Sequence, residues 1–437
     1  MQLNTYTNPP RQQWDALLAR PTMDTAKLYG LVQPVLETVK QQGDEALRFY
    51  TTTFDGVQLN EVLASATEIT ETAEKTPVQL QQAITQAAAN IRAFHLAQQM
   101  QPLVMETMPG VRCWRRQVPI EKVGIYIPGG TAPLFSTVLM LAIPAQIAGC
   151  KQIVLCTPPD KEGSLHPAIA FAAQLAGVTC LAKVGGAQAI AAMAYGTESV
   201  PAVYKIFGPG NQYVTAAKQL VQQQGVAIDM PAGPSEVCVM ADETANPAFV
   251  AADLLSQAEH GADSQVLLVA TPSFNLQALY DQLAAQLEAL PRQHFAAAAL
   301  ANSKALIMDN LEQAIDLVNH YAPEHLIVAM QQCHTVAERI TNAGSVFLGN
   351  FTPESVGDYA SGTNHTLPTN GHARVYAGVS LDSFTKKMTV QELTPEGLNN
   401  IAQTVITMAM AEGLEAHARA VEVRKVKSEK GGVKSEE

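Results

Sequence analysis

Short apolar runs alternate with helix-length segments from residue 123 onward, and Gly or Pro stands at nearly every junction. A first series of apolar runs occupies residues 123–127, 153–156, 179–184, 203–207 and 226–228. A second series follows at residues 237–240, 265–270, 305–308, 326–329 and 346–348. Strands that alternate with helices in this way pair in parallel, and the helices cover both faces of the sheet. The pattern therefore predicts an α/β fold with two doubly wound parallel sheets in tandem.

The segments on either side of these two series have a different pattern. The first hundred residues predict mainly helices, including a long amphipathic helix from Thr76 to about Gln99. Residues 111–118 predict a strand or a hairpin that Pro119 ends. A short irregular region follows Pro368, and residues 396–421, which include Gly413, predict one helix. The charged and apolar-poor residues 425–437 predict a solvated tail.

Composition and charge limit the classes of function. The 437 residues are 47% hydrophobic and 16% charged, which predicts large buried cores in about two to three domains. A formal charge of -12 argues against a nucleic-acid partner, because binding to phosphates requires a basic face. No uncharged apolar run reaches the roughly 18 residues of a membrane span, and the N-terminus shows neither a basic nor an apolar leader. The six cysteines lack CxxC spacing, so we expect reduced thiols and a cytoplasmic location.

Three glycine-containing junctions join apolar runs to helices in the first series: residues 128–130, 185–188 and 208–211. Glycine lets the backbone approach an anion, and the helix that follows supplies N–H groups and a positive dipole. Each loop alone is more simply explained as a tight turn. Together the three loops would face one edge of a parallel sheet, which favours a bound ligand. No GxGxxG motif occurs, so the spacing does not identify that ligand; we also expect a cleft at residues 232–235, between the two series.

Residues of metal-ligand type are concentrated in the second series. Gln257 and His260 stand one turn apart on a predicted helix, so both side chains could reach one cation. Asp358 and His365 lie in a stretch rich in glycine and polar residues. The alternative explanations are ordinary polar groups on a helix face and a solvated loop. Gln is an uncommon zinc ligand, so the first pair alone is weak support for a metal site.

The pair Glu324-His325 follows Pro323 and precedes an apolar run, which places it at the start of a predicted strand. A histidine there can take a hydroxyl proton, and a neighbouring carboxylate can activate water or orient the imidazole. The alternative is a capping glutamate beside a packed histidine. From the residues alone, a dehydrogenase and a zinc hydrolase with Glu324 as its base are about equally supported. A non-catalytic binding protein is disfavoured by the intact pair.

The chain resembles the histidinol dehydrogenase family over nearly its whole length, to about residue 421. Seven long motifs carry the resemblance, at residues 124–130, 184–192, 206–211, 228–236, 253–261, 321–326 and 355–368. The resemblance implies an enzyme that depends on NAD and zinc and oxidises L-histidinol through L-histidinal to L-histidine, the last steps of histidine biosynthesis.

The resemblance also implies roles for individual residues. The implied zinc ligands are Gln257, His260, Asp358 and His417. The implied catalytic pair is Glu324 and His325. The implied substrate contacts are Ser235, His365 and Glu412, together with the four metal ligands and His325. The implied NAD contacts are Tyr126, Gln188 and Asn211, one at each of the three glycine loops.

The resemblance implies a homodimer in which the C-terminal segment of one subunit completes its partner's site, so that Glu412 and His417 act in trans. It also implies four parts of the chain. These are an N-terminal helical arm at 1–24, a first Rossmann-like domain at 25–122 and 236–378, a second at 123–235, and a C-terminal helical segment at 379–437. The first of the two domains would hold the metal and catalytic residues, and the second would hold the NAD loops.

Overall fold

The structure is a computed structural model that describes residues 2–21, 25–101, 103–129, 133–231 and 233–425. The predicted solvated tail therefore lies almost entirely outside the described residues. The chain forms two compact units, one of Met1–Gln98 and Ile120–Phe384, the other of Gln99–Pro119 and Thr385–Glu437. No helix in the described ranges combines the length and the apolar character needed to cross a membrane. Strands and helices are numbered along the chain.

A six-stranded parallel sheet forms one half of the first unit. Its strands are β1 (Asn4–Thr7), β9 (Glu236–Ala241), β10 (Gln265–Ala270), β11 (Lys304–Ile307), β12 (His325–Ala329) and β13 (Ser345–Leu348). Their order is β1-β11-β10-β9-β12-β13. The surrounding helices are α1 (Trp14–Leu17), α10 (Pro247–Ala258), α11 (Leu276–Ala289), α12 (Gln293–Ala301), α13 (Leu311–Tyr321), α14 (Cys333–Ala337) and α15 (Glu354–Tyr359). Strands β9, β10 and β12 are buried along their whole length, as expected for the centre of a parallel sheet.

A five-stranded parallel sheet forms the other half. Its strands are β4 (Lys122–Tyr126), β5 (Gln152–Cys156), β6 (Cys180–Ala182), β7 (Lys205–Phe207) and β8 (Ala227–Ile228), in the order β6-β5-β4-β7-β8. The helices between them are α6 (Phe135–Ala148), α7 (Pro167–Ala176), α8 (Gly186–Tyr195) and α9 (Gln212–Gln222). The strand order reverses at β4 in the five-stranded sheet and at β9 in the six-stranded sheet, so each sheet has a switch point, at β4/β7 and at β9/β12. The two tandem doubly wound sheets predicted from the sequence are thus confirmed.

Four N-terminal helices cover the five-stranded sheet. They are α2 (Thr25–Gln42), α3 (Asp44–Tyr50), α4 (Ala66–Glu74) and α5 (Val78–Leu96). Helix α2 packs on α8 and α9, α4 on α7, and α5 on α6. This packing favours grouping residues 25–98 with the five-stranded sheet, whereas the resemblance placed them with residues 236–378. The domain boundaries themselves remain a prediction.

The N-terminal residues differ from the helical arm expected from the sequence. Residues Asn4–Thr7 form β1, an edge strand that pairs in parallel with β11. The β-branched and aromatic side chains of Thr5, Tyr6 and Thr7 suit a strand, and a parallel partner far along the chain is not visible in a local pattern. The remaining short helical segments are 3-10 turns at Arg11–Gln13, His372–Arg374 and Leu381–Phe384 and a π-helical turn at Thr51–Asp55.

The second unit contains a small antiparallel sheet and two helices. Strands β2 (Val104–Met108), β3 (Val111–Pro119) and β14 (Thr385–Leu393) lie in the order β14-β3-β2. The strand predicted at residues 111–118 is confirmed as β3, which pairs with β2 in a hairpin that has Gly110 in its turn. Helices α16 (Pro395–Ala411) and α17 (Glu415–Glu422) replace the single helix expected at 396–421. Gly413 has a φ of 73°, a left-handed conformation that ends the first helix.

Candidate active site

The predicted catalytic pair lies at the start of β12, beside the start of β9 at the switch point of the six-stranded sheet. Ala322, with a φ of 53°, ends α13, and Pro323 leads into Glu324 and His325. Parallel pairing places His325 opposite Val237. The pair is therefore held by a buried strand rather than by a mobile surface loop.

His325 is buried and contacts a neighbour through each ring nitrogen. Nδ1 lies 3.1 Å from the backbone oxygen of Glu236, and Nε2 lies 3.2 Å from Oδ1 of Asp358. A carbonyl oxygen only accepts hydrogen bonds, so Nδ1 is the donor and its proton is fixed on that side of the ring. Burial lowers the pKa of His325, but the carboxylates of Glu324 and Asp358 outweigh burial and hold the pKa well above its usual range.

Glu324 is held by a hydrogen bond from the backbone of β9, the strand that also contacts His325. Its Oε2 accepts a hydrogen bond of 2.8 Å from the backbone nitrogen of Glu236 and lies 3.6 Å from Nδ1 of His325. The carboxylate is only 7% exposed, so it lies beside the imidazole in a medium that screens charge weakly. The Glu324 carboxylate and the His325 imidazole therefore lie close together, and their catalytic roles remain a prediction.

Three of the four implied metal ligands belong to the first unit. Gln257 is at the end of α10, His260 follows that helix, and Asp358 is on α15. Nδ1 of His260 lies 3.2 Å from Oγ of Ser235, the predicted substrate contact that precedes β9. Among the described residues, no group of three or more His, Cys, Asp or Glu side chains is arranged to hold a metal ion.

Gln257 provides the structural test of whether this donor set suits a metal. Its side chain is 1% exposed, and neither its Oε1 nor its Nε2 forms a hydrogen bond of normal geometry, although it lies beside the Glu354 carboxyl. A buried amide without partners costs free energy, so an additional partner is expected. An amide oxygen, an imidazole and a carboxylate are donors compatible with Zn²⁺. The residues therefore fit a cation, although they do not identify which one.

His365 connects the metal-ligand region to the five-stranded sheet. Its Nδ1 donates to the backbone oxygen of Asp358 at 2.7 Å, and its Nε2 lies 2.9 Å from Oγ1 of Thr137 on α6. Burial lowers the pKa of His365, with the Asp358 carboxylate opposing that shift. A neutral ring that donates from Nδ1 can accept from Thr137, so both nitrogens are used.

Glu412 and His417 belong to the second unit. Glu412 directly follows α16, His417 lies on α17, and both residues are exposed. Their implied contribution to a site therefore remains a prediction.

The three predicted NAD residues all lie at the carboxyl edge of the five-stranded sheet. Tyr126 ends β4, Gln188 is in the first turn of α8 after β6, and Asn211 caps α9 after β7. The hydroxyl of Tyr126 accepts from the backbone nitrogen of Gly186 at 3.0 Å, and burial raises the pKa of Tyr126 to about 12. Gln188 is 1% exposed, and its Oε1 has no hydrogen-bond partner among the described residues.

A buried ion pair that was not predicted from the sequence supports the loop before Asn211. The backbone nitrogen of Gly208 donates to Oδ2 of Asp229 at 2.8 Å, and Nζ of Lys218 donates to the Gly208 oxygen at 2.9 Å. Lys218 and Asp229 also pair with each other. The one local signal is a lysine on the apolar face of α9, where Lys218 is 4% exposed.

The predicted NAD residues and the predicted catalytic residues lie at different ends of the strands in their sheets. The NAD candidates follow the rule that ligands bind beyond the carboxyl ends of parallel strands. Ser235, Glu324 and His325 instead lie at the amino ends of β9 and β12. A cleft was expected at residues 232–235 because ligands bind beyond the carboxyl ends of parallel strands. The catalytic pair lies at amino ends of strands, so this rule does not account for its position.

Comparison with known proteins assigns the chain to a family. The family model described as histidinol dehydrogenase matches residues 18–425. A histidinol dehydrogenase of Bacteroides thetaiotaomicron is 58% identical over 417 residues, covering 95% of this chain and 97% of that protein. A chloroplastic histidinol dehydrogenase of Arabidopsis thaliana is 54% identical over 415 residues, covering 94% of this chain and 89% of that protein.

A solved structure agrees with the sequence matches. The crystal structure of histidinol dehydrogenase from Elizabethkingia anophelis has a TM-score of 0.94 and 55% sequence identity, covering 97% of this chain and 98% of that chain. The resemblance inferred from the seven sequence motifs is therefore confirmed. The chain belongs to the histidinol dehydrogenase family and is an oxidoreductase.

Proposed function

We propose that the protein is a zinc- and NAD-dependent histidinol dehydrogenase that oxidises L-histidinol through L-histidinal to L-histidine. The observation that carries the proposal is the buried His325, fixed at Nδ1 by the Glu236 carbonyl and placed beside Glu324. Family membership supplies the substrate class. It also disfavours the alternative zinc hydrolase, which would have no use for NAD loops.

His325 is proposed as the general base. Because Nδ1 carries the proton donated to the Glu236 carbonyl, Nε2 is the nitrogen that gains and loses the second proton of the ring. The raised pKa of His325 means that the neutral form, which can act as base, increases as pH rises. Nε2 would accept the hydroxyl proton of L-histidinol as the hydride leaves its carbon. The imidazolium formed would be stabilised by the carboxylates of Glu324 and Asp358, which already favour its charged form.

Glu324 is proposed to activate water for the second oxidation. Its carboxylate would accept a proton from a water molecule as the oxygen adds to the carbonyl carbon of L-histidinal. The His325 imidazolium formed in the first oxidation would give its proton to the carbonyl oxygen, which completes the hydrate and returns the ring to its neutral form. His325 would then take a hydroxyl proton from this hydrate while a second hydride leaves, which yields the carboxyl group of L-histidine. The bond from the Glu236 nitrogen to Oε2 keeps Glu324 oriented beside the imidazole.

Gln257, His260 and Asp358, with His417, are proposed to hold zinc, and the unpartnered buried amide of Gln257 supports this. When bound, zinc would hold the imidazole and amine of the substrate and serve mainly as a template. Ser235, His365 and Glu412 are proposed as further substrate contacts. Ser235 is already within 3.2 Å of His260, which supports a shared site.

Tyr126, Gln188 and Asn211 are proposed to bind NAD, which accepts the hydride in each step. Their common position at one sheet edge supports this assignment. The buried Gln188 carbonyl oxygen needs a partner, and the Tyr126 hydroxyl, which keeps its proton at neutral pH, can donate.

We propose a homodimer in which Glu412 and His417 act in the partner's site. Several large apolar side chains of the second unit are exposed, including Leu103 at 71%, Met408 at 60% and Val423 at 78%. Such exposure is typical of a surface that a second copy covers. A cytoplasmic location is proposed from the biosynthetic role and from six cysteines that are all free.

The proposal is tested by following NADH formation with purified protein, NAD and L-histidinol. We expect NADH formation to stop after complete removal of metal by a chelator and to return on addition of Zn²⁺. Full activity without any bound metal, or no NADH from L-histidinol in the metal-loaded protein, would contradict the proposal.

A further inference from the structure

One peptide group contacts both members of the catalytic pair. The backbone nitrogen of Glu236 donates to Oε2 of Glu324 at 2.8 Å, and its backbone oxygen accepts from Nδ1 of His325 at 3.1 Å. The position of the Glu236 backbone therefore sets the orientation of the Glu324 carboxylate and the tautomer of His325.

The side chain of Glu236 fixes that backbone. Its two carboxylate oxygens accept from Nε and Nη2 of Arg20 at 2.5 and 2.8 Å, and Oε1 also accepts from the Asn370 nitrogen at 2.7 Å. Glu236 is 2% exposed and is the single charged residue of the otherwise apolar strand β9. Burial raises the pKa of Glu236, and the Arg20 guanidinium opposes this shift.

Arg20 also holds the segment that leads into the catalytic pair. Nη2 of Arg20 donates to the backbone oxygen of Tyr321 at 2.8 Å, and its guanidinium lies 4.0 Å from the centroid of the Tyr321 ring. Tyr321 is the last residue of α13, three residues before Glu324. One side chain thus ties the start of β9 to the chain that enters β12.

A buried ion pair is a poor means of gaining stability, because apolar residues of similar size usually stabilise a core as well. A bidentate guanidinium–carboxylate contact does define geometry, since its two parallel hydrogen bonds allow one orientation. We infer that Arg20 and Glu236 are positioning residues, which hold the Glu236 peptide where it orients both Glu324 and His325 for catalysis. This inference rests on the proposed function of that pair. Neither side chain is required to touch the substrate, so its loss should lower turnover more than substrate affinity.

The test compares Arg20→Met and Arg20→Lys with wild-type protein, using L-histidinol and NAD. We expect kcat of Arg20→Met to fall about 100-fold, the scale of a misplacement of about 1 Å, with both KM values within about threefold of wild type. Lysine keeps the charge but cannot form the two-pronged contact, so Arg20→Lys should recover part of the loss and remain about tenfold below wild type. Glu236→Gln, which keeps the side-chain size, should show the same loss of kcat as Arg20→Met. It serves as the test variant if Arg20→Met does not fold.

Glu68→Gln is the matched control, because Glu68 on α4 forms a partly buried ion pair of 2.8 Å with Lys183, which follows β6 of the five-stranded sheet. It should keep the wild-type kcat per folded protein. Folded Arg20→Met with kcat within about threefold of wild type, or an equal loss in Glu68→Gln, would overturn the inference. Failure of the proposed function would appear separately, as wild-type protein that forms no NADH from L-histidinol, and would overturn both.

Discussion

His325 carries the most specific residue-level expectation. Asparagine can keep a donor toward the Glu236 carbonyl but has no basic nitrogen, so His325→Asn should lose proton transfer and leave most binding contacts. We expect kcat to fall by about 10²- to 10⁴-fold, with KM for L-histidinol within about threefold, in steady-state assays of NADH formation. His334→Asn, at an exposed position on α14, is the control and should match wild type. A large rise in KM at unchanged kcat would show that His325 binds substrate rather than transferring protons.

Gln257 tests the metal proposal without an activity assay. An unpartnered buried amide costs about 1–3 kcal/mol, so Gln257→Leu should leave the metal-free protein at least as stable as wild type. The same change should reduce the zinc bound per chain, measured by elemental analysis after dialysis.

The control is Gln265→Leu, because Gln265 is also buried but has partners. Its Nε2 donates to the Ala19 oxygen at 3.0 Å, and its Oε1 accepts from the Tyr321 hydroxyl at 2.9 Å. Gln265→Leu should lower the melting temperature of the metal-free protein. Unchanged zinc content in Gln257→Leu would remove Gln257 from the ligand set.

Some site residues could be identified from the sequence because their chemistry is visible locally. Glu324 and His325 stand together beside a proline, and Gln257 and His260 have helical spacing. Arg20 and Glu236 could not be paired in this way, because 216 positions separate them and only the folded chain brings the guanidinium to the carboxylate. The charge of Glu236 in an apolar run was the one available signal.

The loop between β7 and α9 gives an expectation at the scale of an element. Gly208 has a φ of 125°, and a Cβ there would lie 2.1 Å from the Tyr126 backbone oxygen. Gly208→Ala must therefore displace the loop that leads to Asn211, with strain of about 1–3 kcal/mol. If the loop binds NAD, the Kd of the Gly208→Ala protein for NAD should be about tenfold to hundredfold higher than that of wild type in a direct titration.

Gly225→Ala separates backbone strain from the clash. Gly225 has a φ of 98° with no atom within 4 Å of an added Cβ, and it lies near the start of β8, away from the NAD edge. It should lower the melting temperature and leave the Kd for NAD unchanged. A Kd for NAD in Gly208→Ala equal to that of Gly225→Ala would argue against this loop as part of the cofactor site.

Most elements followed from their hydrophobic pattern, and the exceptions have physical causes. Strand β1 is short and depends on pairing with β11, about 300 residues away, so no local period predicts it. Residues 396–421 keep a helical pattern across Gly413, but the left-handed φ of that glycine divides them into two helices. The catalytic pair lies at the amino ends of strands, whereas the general rule for parallel sheets predicts ligand sites at the carboxyl ends.

If the two subunits of a homodimer share their active sites, two inactive variants should complement each other. His325→Asn and His417→Ala should each be inactive alone, because each site would lack either its base or the partner's zinc ligand. When the two variants are unfolded and refolded together, mixed dimers should contain one intact site, and activity should recover to about a quarter of wild type. No recovery in a sample that contains mixed dimers would contradict sites shared between subunits.

The central claim is that one site carries out both oxidations on the same substrate molecule. It is tested most directly by counting the NADH formed per L-histidinol consumed to completion, with L-histidine measured as the product. The arrangement of Glu324 and His325 predicts two NADH and one L-histidine for each L-histidinol. One NADH with free L-histidinal as the end product would contradict it.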